Sequence, residues 1–178
     1  MSGYERHFVD VFEATYVDLM RFVARRVDRA EAEDVVAEAF TIAWRRVSDL
    51  PTDASQARAW VFGIARRLVL AHHRRTHATA VASLDINQLP TPGHEDTVVA
   101  LADLARAWNR LTAAHQEALS LTCWDGLTGA EAAIVLGISP VAYRIRLSRA
   151  RRALHAHLRA VEQAPQHTAT DNEEVSTR

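Results

Sequence analysis

The fold of this chain is decided by residues 127–152, which read LTGAEAAIVLGISPVAYRIRLSRARR. Thr128 followed three residues later by Glu131 is a capping-box pattern, which starts a helix. Gly137 predicts the end of that helix, because a left-handed backbone there favours a residue without a Cβ. Ser139 can cap a second helix, and the proline after it suits a first helical turn. The stretch therefore predicts a helix-turn-helix.

The second helix of this motif has one apolar face and one cationic face. Apolar residues at spacings of three and four predict its buried side: Tyr143, Leu147, Ala150, Leu154 and Leu158. The exposed side is expected to bind DNA through Ser139, Val141, Ala142, Arg144, Ile145, Arg146, Ser148, Arg149 and Arg152. A helical hairpin with a solvated basic helix is the alternative. The small residues before the turn, the Gly-Ile-Ser turn and the one-sided charge together favour DNA binding.

Composition and charge agree with a helical, anion-binding protein. The 178 residues suffice for one medium or two small domains, and helical patterns without an alternating strand pattern predict an all-α fold. All 21 basic residues are arginine, which can bind phosphate through two parallel hydrogen bonds. The net charge is −1, but residues 81–103 hold four acids and no arginine, whereas residues 104–160 hold eight arginines and three acids. The near-neutral total therefore hides basic surfaces.

Three amphipathic helices are predicted in the first 76 residues, over 4–27, 30–47 and 57–75. The first has an inward stripe made of Phe8, Phe12, Tyr16, Leu19, Val23 and Val27. Arg25 and Arg26 lie outside that stripe. The third carries an arginine stripe suited to a duplex backbone: Arg58, Arg66, Arg67, Arg74 and Arg75.

The connection between the second and third helices, residues 48–56, is rich in short polar side chains. These side chains could hydrogen-bond an extruded base, and a plain surface loop is the alternative. Trp44 and Trp60 are expected in the core rather than stacked on bases.

The domain organisation is predicted from the change of composition after the third helix. Residues 1–78 form an N-terminal helical bundle, 79–100 a flexible linker with prolines and acids, and 101–160 the helix-turn-helix domain. Residues 161–178 are expected to be a disordered tail.

The sequence also gives expectations about redox state and location. Cys123, the only cysteine, is expected to be buried and structural. An apolar leader and a membrane-length apolar run are both absent, so we expect a cytoplasmic protein without membrane insertion.

Three stretches occur in an order that is typical of one protein family: AEDVVAEAF at 32–40, AWVFGIARR at 59–67, and LGIS at 136–139 followed by RLSRAR at 146–151. They resemble, respectively, the polymerase-binding helix, the promoter-melting segment and the −35-reading helix of extracytoplasmic-function sigma factors. Those proteins are the two-domain promoter-specificity subunits of bacterial RNA polymerase. The resemblance covers residues 5–158.

The resemblance implies partners and site residues. Core RNA polymerase would be bound through Asp34, Val35, Glu38 and Phe40. The −10 element would be bound through Arg58, Trp60, Arg66, Arg67, Arg74 and Arg75, and the −35 element through the exposed side of the second helix of the motif. An anti-sigma factor is a further candidate partner. Beside the resemblance, Asp34 and Glu38 lie four residues apart and present a paired negative face to a basic partner.

The chain departs from the family pattern at several positions. Ala37 stands where the family prefers glutamine, Arg67 where it prefers asparagine, and Ala71 where aspartate is frequent. Thr112 replaces a proline, and residues 141–143, Val-Ala-Tyr, replace the more usual Gly-Thr-Val. An alanine at 142 lacks the hydroxyl that would donate to a phosphate.

Two other function classes are weighed against this one. A helix-turn-helix transcriptional regulator without polymerase docking would use the first bundle to dimerise or sense a signal. An enzyme or metal sensor would use the histidines, which cluster as His72, His73 and His77 and as His155 and His157. Neither cluster has a cysteine nearby, so no metal or cofactor is expected. No catalytic motif is visible, and we expect the chain not to be an enzyme.

Overall fold

The computed structural model describes residues 3–76 and 95–162, and within these ranges all regular secondary structure is helical, without strands. The helices are α1 (Gly3–Ala24), α2 (Arg29–Arg45), α3 (Ala54–Thr76), α4 (Glu95–Asn109), α5 (Ala113–Cys123), α6 (Gly129–Leu136) and α7 (Pro140–Glu162), with a short 3-10 helix at Val47–Asp49. The prediction of an all-α fold with two helical halves is confirmed. The predicted linker, apart from its last six residues, and the predicted tail, apart from its first two, lie outside the described residues.

The N-terminal half is a bundle of α1, α2 and α3. Its centre is made of large side chains from α1 and α3, among them Leu19, Phe22 and Phe62, each completely buried. Alanines on the facing side of α2, such as Ala39 and Ala43, are also completely buried. Because these side chains of α2 are small, its backbone can approach α1 and α3, and the bundle closes around a dense core.

Helix α1 has two apolar faces rather than the single predicted stripe. Its buried face is formed by Val11, Thr15, Leu19, Phe22 and Val23. Phe12 and Tyr16 instead lie on a second, partly exposed face beside α2. The prediction that Arg26 lies outside the packed side is wrong, because only 8% of this residue is exposed.

The C-terminal half consists of α4–α7. The region predicted as one or two helices from residue 101 is two, and the first of them starts at Glu95, inside the predicted linker. Thr112 caps the second, since its side chain accepts a hydrogen bond from the His115 backbone N–H at 3.3 Å. This capping bond gives the threonine a role that a proline could not perform. Trp108 and Trp124 pack together with ring centroids 4.6 Å apart.

The two halves pack directly against each other through α3 and α6. Ala132, Ala133 and Val135 of α6 are buried in the same core as the residues of α3. Gly63 lies at this contact, and a Cβ added to it would lie 3.9 Å from the Cα of Val135, at ordinary van der Waals distance. We call this the closed arrangement. It holds the two halves together by apolar packing as well as by the ion pairs described below.

Two further single-residue predictions are wrong. Cys123 is exposed rather than buried, since it is the last residue of α5 and faces away from the core. Trp44 is 46% exposed and lies on the partly exposed aromatic face, whereas Trp60 is half-buried and packs on the core as predicted. Within the ranges 3–76 and 95–162, none of the helices has both the length and the apolar character needed to cross a membrane.

Candidate functional site

The helix-turn-helix is built by the local interactions that its sequence predicts. Thr128 and Glu131 form a complete capping box at the start of α6. Gly137 ends α6 in the left-handed conformation with φ 66°. The hydroxyl of Ser139 accepts a hydrogen bond from the Ala142 backbone N–H at 3.1 Å, so it caps α7. These interactions fix the angle at which α7 leaves the turn.

Helix α7 is anchored by Tyr143. The side chain is buried, and its hydroxyl donates to the Ala118 carbonyl at 2.8 Å and lies 2.6 Å from the Thr122 hydroxyl. Burial raises the pKa of the Tyr143 hydroxyl, so it stays protonated and able to donate. Tyrosine therefore fits this position, where the family more often has valine.

The opposite side of α7 presents the predicted DNA-binding residues to solvent. Ser139, Val141, Ala142, Arg144, Ile145, Ser148, Arg149 and Arg152 are exposed, and Arg146 is half-buried. Ile145 is 47% exposed and lies in the middle of this face. The closed arrangement buries one face of α6 but leaves the outer face of α7 uncovered. This face combines arginines for phosphates with apolar side chains suited to thymine methyl groups.

The predicted −10 residues on α3 fall into two groups. Arg67, Arg74 and Arg75 are exposed, whereas Arg58, Trp60 and Arg66 are half-buried. Arg58 donates to Asp18 Oδ2 at 3.0 Å and to Glu131 Oε1 at 3.4 Å. Arg66 makes a bidentate pair with Glu117, with distances of 2.6 and 3.1 Å. Two of the predicted DNA-binding arginines are thus engaged by carboxylates of the C-terminal half.

Glu131 has two roles, because it completes the capping box of α6 and also faces Arg58. Burial by itself would raise the pKa of its carboxyl. Hydrogen bonds from the backbone and side chain of Thr128, the Arg58 charge and a hydrogen bond from Ser55 outweigh burial and hold the pKa below 4.5. Glu131 is therefore ionised at neutral pH and available to pair with Arg58.

The predicted polymerase-binding residues on α2 also differ in exposure. Asp34 and Glu38 are exposed on one side, as predicted. Val35 and Phe40 are both buried and belong to the core. Phe40 lines a groove between α1 and α2, so of the two apolar residues it is the one that a partner could reach.

Sequence reasoning missed this groove, which we call the aromatic groove. It has a volume of about 430 Å³ and is lined by Phe8, Phe12, Tyr16, Glu33, Val36, Ala37, Phe40, Thr41 and Trp44. Phe12 and Phe40 lie 4.6 Å apart between ring centroids, and Phe8 and Trp44 lie 5.1 Å apart. The spacing of four residues from Phe8 to Phe12 to Tyr16 carried the signal, but it was interpreted as a core stripe. The groove provides an open apolar surface whose one acidic lining residue, Glu33, precedes Asp34 in the chain.

Ala37 lies on the lining of the aromatic groove. A glutamine at this position, as the family prefers, would place a long polar side chain at the groove. The alanine leaves the groove apolar and open at that point.

The loop proposed to hold an extruded base is shorter than predicted. The 3-10 helix occupies residues 47–49, and α3 begins at Ala54. Asp49 pairs with Arg46 at 2.9 Å, and Asp53 accepts from the Gln56 backbone N–H at 2.9 Å. Both carboxylates therefore have local structural roles.

The metal prediction concerns two histidine clusters. In the part of the chain that the structure describes, no three His, Cys, Asp or Glu side chains come together as metal ligands. His72 lies 3.1 Å from Glu31, and His77 lies outside the described residues.

Comparison with known proteins defines the class to which these sites belong. Residues 11–79 match the family model for Sigma-70 region 2, and residues 101–154 match that for Sigma-70, region 4. The chain is 33% identical over 145 residues to the ECF RNA polymerase sigma factor SigL of Mycobacterium tuberculosis, covering 79% of this chain and 82% of SigL. It is 35% identical over 164 residues to the ECF sigma factor SigC of the same organism, covering 87% of this chain and 85% of SigC.

A solved structure shares the fold. CnrH, in complex with the cytosolic domain of CnrY, matches with a TM-score of 0.58 and 28% identity, covering 89% of this chain and 91% of CnrH. The chain belongs to the extracytoplasmic-function group of the sigma-70 family. The prediction of a sigma factor that directs promoter-specific transcription initiation is confirmed, and it is favoured over a regulator that does not dock on polymerase.

Proposed function

We propose that this sigma factor binds core RNA polymerase through α2 and the aromatic groove. The observation that carries the proposal is that Glu33 lines the groove and is followed in the chain by exposed Asp34, while Glu38 is exposed on the same helix. An open apolar surface flanked by acids suits an amphipathic helix with a basic edge. Phe40 would contact such a helix, whereas Val35 would act through the core that positions it.

The two DNA elements are bound by different halves in this proposal. The exposed face of α7 reads the −35 element, with arginines on phosphates and Ile145 on a base. Arg58, Trp60, Arg66, Arg67, Arg74 and Arg75 contact the −10 element. Arg58 and Arg66 can do so only after their pairs with Glu131 and Glu117 break, so opening of the two halves precedes promoter melting.

The remaining parts of the proposal concern organisation and control. Residues 1–78 and 101–160 are the two functional domains, 79–100 connects them, and 161–178 is a tail. The chain acts in the cytoplasm, uses no cofactor and leaves catalysis to the polymerase. An anti-sigma factor holds it inactive. The solved structure of CnrH in complex with the cytosolic domain of CnrY supports this last point in one respect, because a protein of this fold is bound there by a second protein.

The test is a pull-down with core polymerase followed by run-off transcription. Tagged full-length chain should retain purified core enzyme, and the mixture should give a transcript of defined length from a cognate promoter, found by selection from a library. Core enzyme without the chain is the control. Binding to DNA without core retention, or core retention without specific transcripts, would contradict the proposal.

A further inference from the structure

A carboxylate of the C-terminal half occupies a cluster of arginines at the end of α1. Asp125, in the loop between α5 and α6, has a side chain with no exposed surface. Arg26 Nη2 donates to its Oδ2 at 2.7 Å, and Arg25 donates to its Oδ1. Arg58 Nη2 lies 3.4 Å from the Asp125 backbone oxygen. Three guanidinium groups of the N-terminal half thus converge on one acidic residue.

The N-terminal half holds two of these arginines in place by itself. Arg26 donates to the Phe22 carbonyl at 2.8 Å, and its Cζ lies 3.8 Å from the centroid of the Phe22 ring. Arg58 donates to Asp18, and its Cζ lies 4.9 Å from the Phe62 ring centroid. These supports do not depend on the C-terminal half, so the two guanidinium groups stay positioned when Asp125 leaves.

When the two halves separate and Asp125 leaves, the arginine cluster has more positive than negative charge. Three arginines face Asp125, Glu131 and Asp18 in the closed arrangement, and only Asp18 belongs to their own half. Arg25 also has a buried Nε that finds no hydrogen-bond partner among the described residues. After opening, the cluster presents three cations and unused donors. Guanidinium groups bind a two-oxygen anion through parallel hydrogen bonds, and a carboxylate and a phosphodiester both offer such oxygens with one negative charge.

We propose that Arg25, Arg26 and Arg58 form a binding site for a backbone phosphate of DNA, and that Asp125 occupies this site in the closed arrangement. The proposal rests on the proposed function and adds Arg25 and Arg26 to its DNA contacts. Asp125 and a strand phosphate compete for the same guanidinium groups. Closing of the two halves and binding of DNA at this site therefore exclude each other.

The test measures sequence-independent binding, so a labelled duplex of random sequence suffices. The full-length chain is titrated by fluorescence anisotropy at several salt concentrations. The variants are Asp125→Asn, Arg25→Gln/Arg26→Gln, and all three changes together. Asp49→Asn is the matched control, because it also removes a carboxylate paired with arginine, but at an exposed site within the N-terminal half.

Asp125→Asn should bind the duplex more tightly than the natural chain. Its plot of log affinity against log salt should be steeper by about 0.9 for each phosphate gained. The triple variant should lose both effects, and Asp49→Asn should equal the natural chain. Unchanged affinity in Asp125→Asn, or a gain that persists in the triple variant, would overturn the proposal.

Two further measurements distinguish a free phosphate from a DNA strand as the ligand and provide a test if Asp125→Asn does not fold. Inorganic phosphate at millimolar concentration, with ionic strength held constant, should compete with the duplex and reduce the gain of Asp125→Asn. If phosphate instead raises the urea midpoint of Asp125→Asn while the duplex binds this variant no more tightly than the natural chain, the site takes a free phosphate and not a strand, and the proposal fails. Asp125→Asn could lose its helical circular dichroism, and the double variant Arg25→Gln/Arg26→Gln is then tested in the complex with core polymerase. This variant should flatten the salt dependence of promoter binding. An unchanged slope would refute the site. Run-off transcription by the natural chain reports on the proposed function independently of these results.

Discussion

A large side chain placed at Gly63 should separate the two halves. In the closed arrangement a Cβ at this position would lie 3.9 Å from the Cα of Val135, which is ordinary van der Waals contact. Gly63→Ala therefore fits without displacing α6. Gly63→Leu extends three more carbons towards the backbone of α6, which cannot move aside as a flexible side chain could. Separation of α3 from α6 is the direct way to relieve this clash.

The two substitutions should have opposite effects on stability, because Gly63→Ala stabilises a helix and Gly63→Leu destabilises the closed arrangement. Replacing a glycine inside a helix by alanine stabilises the helix by about 1 kcal/mol, so Gly63→Ala should raise the free energy of unfolding. Overpacking costs about 1–3 kcal/mol, and for Gly63→Leu that cost applies to the closed arrangement. A shift of about 2 kcal/mol changes the ratio of closed to open molecules roughly 30-fold. The apparent Kd for DNA falls as the open fraction rises, by at most that factor.

Small-angle X-ray scattering and anisotropy titration with a DNA duplex test this prediction. Gly63→Leu should increase the radius of gyration and bind DNA more tightly, whereas Gly63→Ala should leave both unchanged. Circular dichroism should show equal helix content in the two variants. If Gly63→Leu keeps both the radius and the Kd of Gly63→Ala, contact between α3 and α6 does not restrict DNA binding, and the reasoning fails.

Three other predictions address single sites. Asp34→Arg together with Glu38→Arg should abolish retention of core polymerase without loss of helix content, because both residues are exposed; surviving retention would show that α2 is not the docking surface. Ile145→Ser should cost about 1–3 kcal/mol at one base pair of the −35 element and little elsewhere, as measured by transcription of a promoter library; unchanged preference at every position would exclude a base contact. Glu131 has a lowered pKa in the folded protein. Its contribution to the free energy of unfolding is therefore complete above pH 4.5 and is lost as the pH falls through the lowered pKa. Urea unfolding should show this decline in the natural chain and a smaller one in Glu131→Gln; equal declines would mean that Glu131 does not contribute.

The parts of the fold that local chemistry determines could be predicted from the sequence. The capping box of Thr128 and Glu131, the left-handed Gly137 and the Ser139 cap involve residues within a few positions of each other. The exposed face of α7 also followed from its periodicity. Such features depend only on residues that are close together in the chain and not on how distant segments pack. They can therefore be predicted from a single sequence.

The features that could not be predicted depend on which segments meet. Arg26 appeared to be a surface residue because it is charged, yet Asp125, 99 positions away, supplies the partner that makes its burial possible. The stripe of Phe8, Phe12 and Tyr16 has the spacing of a core face, and only its position beside Phe40 of α2 shows that it lines an open groove. Periodicity alone does not reveal which of two apolar faces receives the core.

The closed arrangement restricts the two proposed DNA-binding surfaces unequally. It engages Arg58 and Arg66 with carboxylates of the C-terminal half, but it leaves the outer face of α7 exposed. A closed chain can therefore approach DNA through α7 while its −10 surface is still occupied. Strand phosphates held in the same complex then compete with Glu117, Glu131 and Asp125 for the arginines at a raised effective concentration. Binding at the −35 element thus favours opening, and we expect the −10 contacts to form second.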